Sequence, residues 1–210
     1  ENPTLLYAYG GFEVPMLPGY SAITGTNWLE KGGVYVLANL RGGGEFGPKW
    51  HQAGLKENRQ RVYDDFHAVA EDLIKRKITS SEKLGIYGGS NGGLLVGVAF
   101  TQRPDLYNAV VCAVPLLDMK RYNKLLAGAS WMAEYGNPDI PEEWEFIKEY
   151  SPYHNVEKGQ DYPEVFFTTS TRDDRVHPGH ARKMVAKMND FGYDIYYFEN
   201  TEGGHAGAST

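Results

Sequence analysis

Ser90 lies in Gly88-Gly89-Ser90-Asn91-Gly92, a G-x-S-x-G pattern whose glycines have a steric cause. A serine on a tight strand-to-helix turn presents its hydroxyl outward, and side chains two positions to either side would collide. The flanks fit that turn: Leu84-Gly85-Ile86-Tyr87 reads as a strand and Leu94 to Phe100 as a buried helix. A serine hydroxyl is a weak nucleophile until a base takes its proton, and the base needs a carboxylate to fix its tautomer. Where this turn carries the nucleophile, the chain order is serine, acid, histidine, each on a loop at the carboxyl end of a strand. His51 and His67 precede Ser90, and His154, His177 and His180 lack a strand and an acid in that order. His205 remains, in Gly203-Gly204-His205-Ala206-Gly207 after the strand-like Asp194 to Phe198. Asp173 and Asp174 follow the strand-like Val165 to Thr169. By spacing alone either orients His205, the other capping the turn or pairing with Arg172 or Arg175. The chemistry of such a set is acyl transfer through a covalent intermediate, and it needs no metal or organic cofactor. Because the base must be neutral and an ordinary histidine titrates near ~6.5, activity is expected to fall in acid.

Two other patterns suggest chemistry and carry less. Gly42-Gly43-Gly44-Glu45-Phe46-Gly47 satisfies the dinucleotide pattern G-x-G-x-x-G after a strand-like run. Pro48 to Gln52 opens no clean amphipathic helix, however, and Asp64 and Asp65 fall inside a helical pattern where a strand end is required. His177-Pro178-Gly179-His180 suits a turn or helix start better than a metal-ligand pair, and there is no H-E-x-x-H. The lone cysteine, Cys112, cannot form an internal disulfide and reads as a small core residue in Ala109 to Ala113.

The elements that must position Ser90 are legible as short runs. Leu5 to Tyr9, Val34 to Leu40, Leu84 to Tyr87, Ala109 to Val114, Val165 to Thr169 and Asp194 to Phe198 are β-branched or aromatic and bounded by turn residues, as strands are. Val62, Phe66, Val69 and Leu73, and then Ala181, Met184, Val185 and Met188, recur at helical spacing. Alternating strands and helices imply an α/β class with a mostly parallel sheet, and Leu125 to Pro163 reads as an excursion that builds a binding loop. The 210 residues fit one domain, and 27 acidic against 21 basic residues (net −6) exclude a nucleic-acid footprint. No apolar run approaches the ~20 residues that span a bilayer. The start at Glu1-Asn2-Pro3-Thr4 reads as an excerpt of a longer protein.

Tyr9-Gly10-Gly11-Phe12, Asn39 to Gly47, Asp64-Asp65-Phe66, Gly88 to Leu95, Gln102 to Leu106 and Asp173 to Val176 together resemble the catalytic domain of the prolyl oligopeptidase family of serine peptidases, over essentially the whole chain. The resemblance implies an α/β-hydrolase fold with helices on both sheet faces, formed by residues 1–210 as one peptidase domain. It implies Ser90, Asp173 and His205 as the catalytic set. It adds the Tyr9 hydroxyl to the backbone N–H of Asn91 as the oxyanion hole. It also implies a proline pocket in which Trp131 stacks on the ring, lined by Phe12, Asn91, Leu116, Tyr135 and Val176, with Arg175 donating to the preceding substrate carbonyl. Taken singly, Tyr9, Trp131 and Tyr135 read as core aromatics. Relatives that cleave after basic residues are expected to add carboxylates there, and Glu134 is the nearest candidate. The implied activity is cleavage of short peptides after proline, in a cytoplasmic protein with neither membrane nor nucleic-acid partners. A β-propeller, the leading strands of the sheet and a closing helix are expected in the full-length protein and are absent from this chain. The excised piece, with a bare sheet edge and apolar face, is accordingly expected to aggregate.

Overall fold

Short apolar runs closed by glycine and polar turns give six strands: β1 Thr4–Tyr7, β2 Val34–Leu37, β3 Leu84–Gly89, β4 Ala109–Ala113, β5 Glu164–Ser170 and β6 Tyr196–Asn200. In the computed structural model, which describes residues 1–208, all six are parallel in one sheet ordered β2-β1-β3-β4-β5-β6. The last two residues of the expected 1–210 domain lie outside the described residues. This is the α/β-hydrolase arrangement anticipated from the alternation of strands and helices.

Register sorts the side chains into two faces. The row Val36, Leu6, Ile86, Val110, Val165 faces one way. With Phe167 it joins the apolar sides of the Gln60–Lys75, Asn91–Gln102 and Gly179–Asp190 helices in a single core. The adjacent row Leu37, Tyr7, Tyr87, Val111, Phe166, Tyr196 faces the other way and is covered far less. Over its β2 end lies the segment around Ala22–Leu29, across a groove lined by Tyr7, Tyr35 and Leu37, whereas Phe166 and Tyr196 are 38% and 56% exposed. Helical cover is therefore unequal between the two faces.

Between β4 and β5 the chain leaves the sheet. Pro141–Lys148 and Pro152–Asn155 are short helices, each started by a proline at the position where its missing N–H costs nothing. Before them, Leu126–Trp131 and Met132–Tyr135 bring Trp131 and Tyr135 to the carboxyl ends of the strands. The glycine run Gly42 to Gly47 forms a turn packed on backbone: a Cβ at Gly42, whose φ is +91°, would sit 2.8 Å from the Gly10 carbonyl oxygen. That turn is tied to the Gln60–Lys75 helix by Arg41, which holds Asp65 through side-chain bonds of 2.6 to 3.1 Å. Asp65 is thus committed to an ion pair, and the run's glycines are explained at Gly42 and Gly44 by backbone contacts and at Gly47 by a φ of +87°.

Candidate active site

Ser90 falls between β3 and the Asn91–Gln102 helix with φ 58° and ψ −117°, a conformation a side-chain-bearing residue adopts only under constraint. The constraint comes from both sides. Its N–H donates to the Ala113 carbonyl at 2.9 Å, and its carbonyl accepts from Leu94 N at 3.1 Å. A Cβ on Gly88 would lie 2.0 Å from the Gly92 oxygen, and one on Gly93 2.7 Å from the Ala113 oxygen. Only glycine permits so sharp a reversal. As the first residue of its helix, Asn91 has an N–H with no carbonyl behind it to bond, at the positive end of the helix dipole.

Of the two candidate acids, it is Asp173 that the structure sets against His205, with Oδ2 2.7 Å from Nδ1. Its other oxygen accepts from the backbone N–H of Arg175 and of Val176, each at 2.9 Å. Burial pushes the Asp173 carboxyl up, but the bonds from His205 and the two amides outweigh it and leave the group below its ordinary value. Asp174, one residue on, is exposed. The remaining histidines are engaged elsewhere: His51 with Glu134, His67 with Tyr107, His154 with Ser151, His177 with Gly179 N, and His180 with the amides of Leu117 and Asp118. Among the described residues no hydrogen bond joins Ser90 Oγ to the His205 ring. Cys112 is fully buried, donates to the Gly93 carbonyl, and has its thiol pushed up by burial.

Ser90 opens onto a cavity of about 170 Å³ lined by Tyr9, Phe12, Val14, Asn91, Leu116, Trp131, Tyr135 and Arg175. That is below the roughly 300–1,000 Å³ that encloses a drug-sized ligand, a size for one side chain. The Tyr9 phenol is raised by burial, against a hydrogen bond with Ser90 that pulls it down. Phe12 meets Tyr135 edge-on at 5.6 Å. Val176, expected in the lining, is instead 2% exposed and belongs to the core beneath, while Val14 takes a place in the wall.

Behind the wall lies a cluster that sequence reading missed. Arg59, 1% exposed, reaches Glu134 Oε1 at 2.9 Å and Asn91 Oδ1 at 2.6 Å. Glu134 also accepts from Phe12 N and lies 2.8 Å from His51 Nε2. Asn91 Oδ1 takes a second bond from the Tyr135 hydroxyl, and its amide nitrogen donates to Tyr9 O. Glu134 therefore does not face the cavity as a free carboxylate. No local signal marks Arg59, which stands in a polar stretch that reads as surface.

The model of the prolyl oligopeptidase family matches residues 20–210. The chain belongs to that family. Its relatives include an uncharacterized peptidase, y4nA, of Sinorhizobium fredii, 67% identical over 99% of this chain and 29% of that protein. The prolyl endopeptidase of Elizabethkingia meningoseptica is 45% identical over the whole chain and 30% of its own length. Among solved structures, a post-proline cleaving enzyme from Rickettsia typhi superposes with a TM-score of 0.97 at 51% identity, covering 99% of this chain and 30% of that one. The chain thus spans less than a third of the prolyl oligopeptidase family members it matches. Among the described residues, no helix is long and apolar enough to cross a membrane.

Proposed function

We propose that this chain is the hydrolytic part of a serine peptidase that cleaves short peptides on the carboxyl side of proline. The observation that carries the reading is the cavity at Ser90: about 170 Å³, walled by Phe12, Trp131 and Tyr135, with the Glu134 carboxylate behind that wall already paired. A flat ring without a charge or an N–H to satisfy is the side chain such a wall accepts best. Ser90 Oγ attacks the carbonyl carbon as His205 takes its proton, and Asp173 stabilises the imidazolium. The Asn91 N–H and Tyr9 hydroxyl receive the developing oxyanion. His205 then gives the proton to the leaving amine, and water repeats the sequence to release the acyl group. The approach of His205 to Ser90 belongs to the substrate complex, where catalytic hydrogen bonds commonly tighten. Arg175, at the cavity mouth, donates to the carbonyl of the preceding substrate residue. The family resemblance and the partial coverage of its relatives support a β-propeller elsewhere in the full-length protein.

The test is kcat/KM on the full-length protein for a blocked Gly-Pro fluorogenic peptide against matched Gly-Ala and Gly-Arg peptides, with Ser90→Ala as blank. Preference for proline, lost in the blank, is expected. Cleavage without that preference would discard the pocket assignment, and no cleavage by folded protein would discard the peptidase reading.

A further inference from the structure

We propose that Arg59 is a specificity-determining residue: by neutralising Glu134 behind the pocket wall, it denies the pocket to cationic side chains. This rests on the peptidase reading above and adds a buried group that, with Arg175 in the lining, sets the pocket's charge.

The geometry is closed on the side-chain oxygens of Glu134 and Asn91. Glu134 is 4% exposed, and its oxygens are held by Arg59 Nη1, Phe12 N and His51 Nε2. Asn91 Oδ1, the other acceptor in the wall, is filled by Arg59 Nη2 and the Tyr135 hydroxyl. The guanidinium also lies 5.0 Å from the centre of the Tyr135 ring, whose other contacts include Phe12 in the same wall. A lysine or arginine side chain entering the cavity would find the Glu134 and Asn91 oxygens already filled, and positive charge both at Arg175 in the lining and at Arg59 one layer behind the wall. Glu13, half exposed at 4.0 Å from His51, is the next carboxylate outward and stands on the far side of that histidine. After Arg175 in the lining, both members of the buried pair act on the Tyr9 hydroxyl at the cavity, Arg59 in the same sense as Arg175 and Glu134 in the opposite one. Removing either partner therefore leaves an uncancelled charge that the cavity feels through a low-dielectric wall.

The test compares kcat/KM for blocked peptides carrying lysine or its uncharged isostere norleucine before the cleaved bond, together with the proline peptide, on full-length protein. The lysine-to-norleucine ratio reads charge and cancels any general loss of activity. Arg59→Met exposes the negative partner, and the ratio should rise about tenfold. Glu134→Gln exposes the positive partner, and the ratio should fall by a similar factor. The double variant restores neutrality and should return the ratio to within about twofold of wild type. Loss of one member of a buried pair strains folding more than loss of both. If Arg59→Met does not fold, Glu134→Gln and the double variant carry the test. Ratios unchanged in folded single variants, with wild type still cleaving after proline, overturn the role of Arg59 alone. Wild type that fails to cleave overturns the peptidase reading and this role with it.

Discussion

Replacing Asp173 by asparagine separates orientation of the base from everything else the carboxylate does. The side chain uses both oxygens: one accepts from Arg175 N and Val176 N at 2.9 Å each, the other meets His205 Nδ1 at 2.7 Å. An amide has one acceptor, so it must choose. With its oxygen kept under the two backbone amides, its NH2 faces Nδ1 and can donate only if that nitrogen is bare, which moves the ring proton to Nε2. With the amide reversed, two buried N–H groups face a donor, and each lost bond costs ~1–3 kcal/mol. The first arrangement is favoured by at least ~2 kcal/mol, about thirtyfold. The variant therefore folds with its turn intact and holds histidine in the tautomer that cannot accept the serine proton. An amide in place of a triad carboxylate costs about 10⁴ in kcat, and a fall of that order in kcat/KM on the Gly-Pro peptide is expected, with the urea midpoint nearly unchanged. Asp174→Asn, altering an exposed neighbour, should stay within about twofold. Retention of more than a tenth of the activity by Asp173→Asn, or an equal loss in Asp174→Asn, would refute the assignment.

Three further outcomes are expected. In Gly88→Ala the new methyl meets the Gly92 oxygen, so stability should drop by at least ~1–3 kcal/mol in urea titration; a variant as stable as its parent would contradict the elbow packing. Asp118, like Asp173, is pushed up by burial but held below 3.8 on balance, chiefly by Lys183. Each group binds a proton more readily unfolded, so its stabilisation is full above 3.8 and drains as pH falls through the lower folded value. Tm from these groups should be level from about pH 6 to 5 and decline below about pH 4, with Asp118→Asn showing the shallower decline. Cys112 should resist iodoacetamide in the native state and react on unfolding, and rapid native labelling would show that its burial is breached.

The strands were legible because a buried parallel strand is a short apolar run with turn residues at each end, and all six runs became strands. Their limits were less so. The Val34 run was expected to reach Leu40, but the strand ends at Leu37, with one further bond from Ala38 N to Tyr7 O, because the chain must turn into the Gly42 loop. The last strand begins two residues later than expected, at Tyr196, because Tyr193 N still closes the preceding helix on Met188 O. The turn at Ser90 was readable from local sterics and the meeting of His205 with an acid from chain order, whereas the choice between Asp173 and Asp174 needs the direction of a turn, which adjacent identical residues cannot signal. Arg59 lay beyond reach for a different reason. Its partners Asn91 and Glu134 come from segments 32 and 75 residues away, and only the packing of the excursion against the elbow makes them neighbours.

The strand order also sets a timetable. β1 to β4 are neighbours in the sheet, and β5 and β6 are laid on its far edge one after the other. A chain that has left the ribosome as far as Ala113 can pair four strands and close the Ser90 turn, whose N–H bonds the Ala113 carbonyl. Asp173 and His205 ride on the loops after the two strands made last. At ~5–20 residues per second, roughly 5–20 s separate the exit of Ala113 from that of His205. On the proposed assignment, a nascent chain carries Ser90 for that interval without Asp173 or His205, and so cannot yet form the acyl-enzyme.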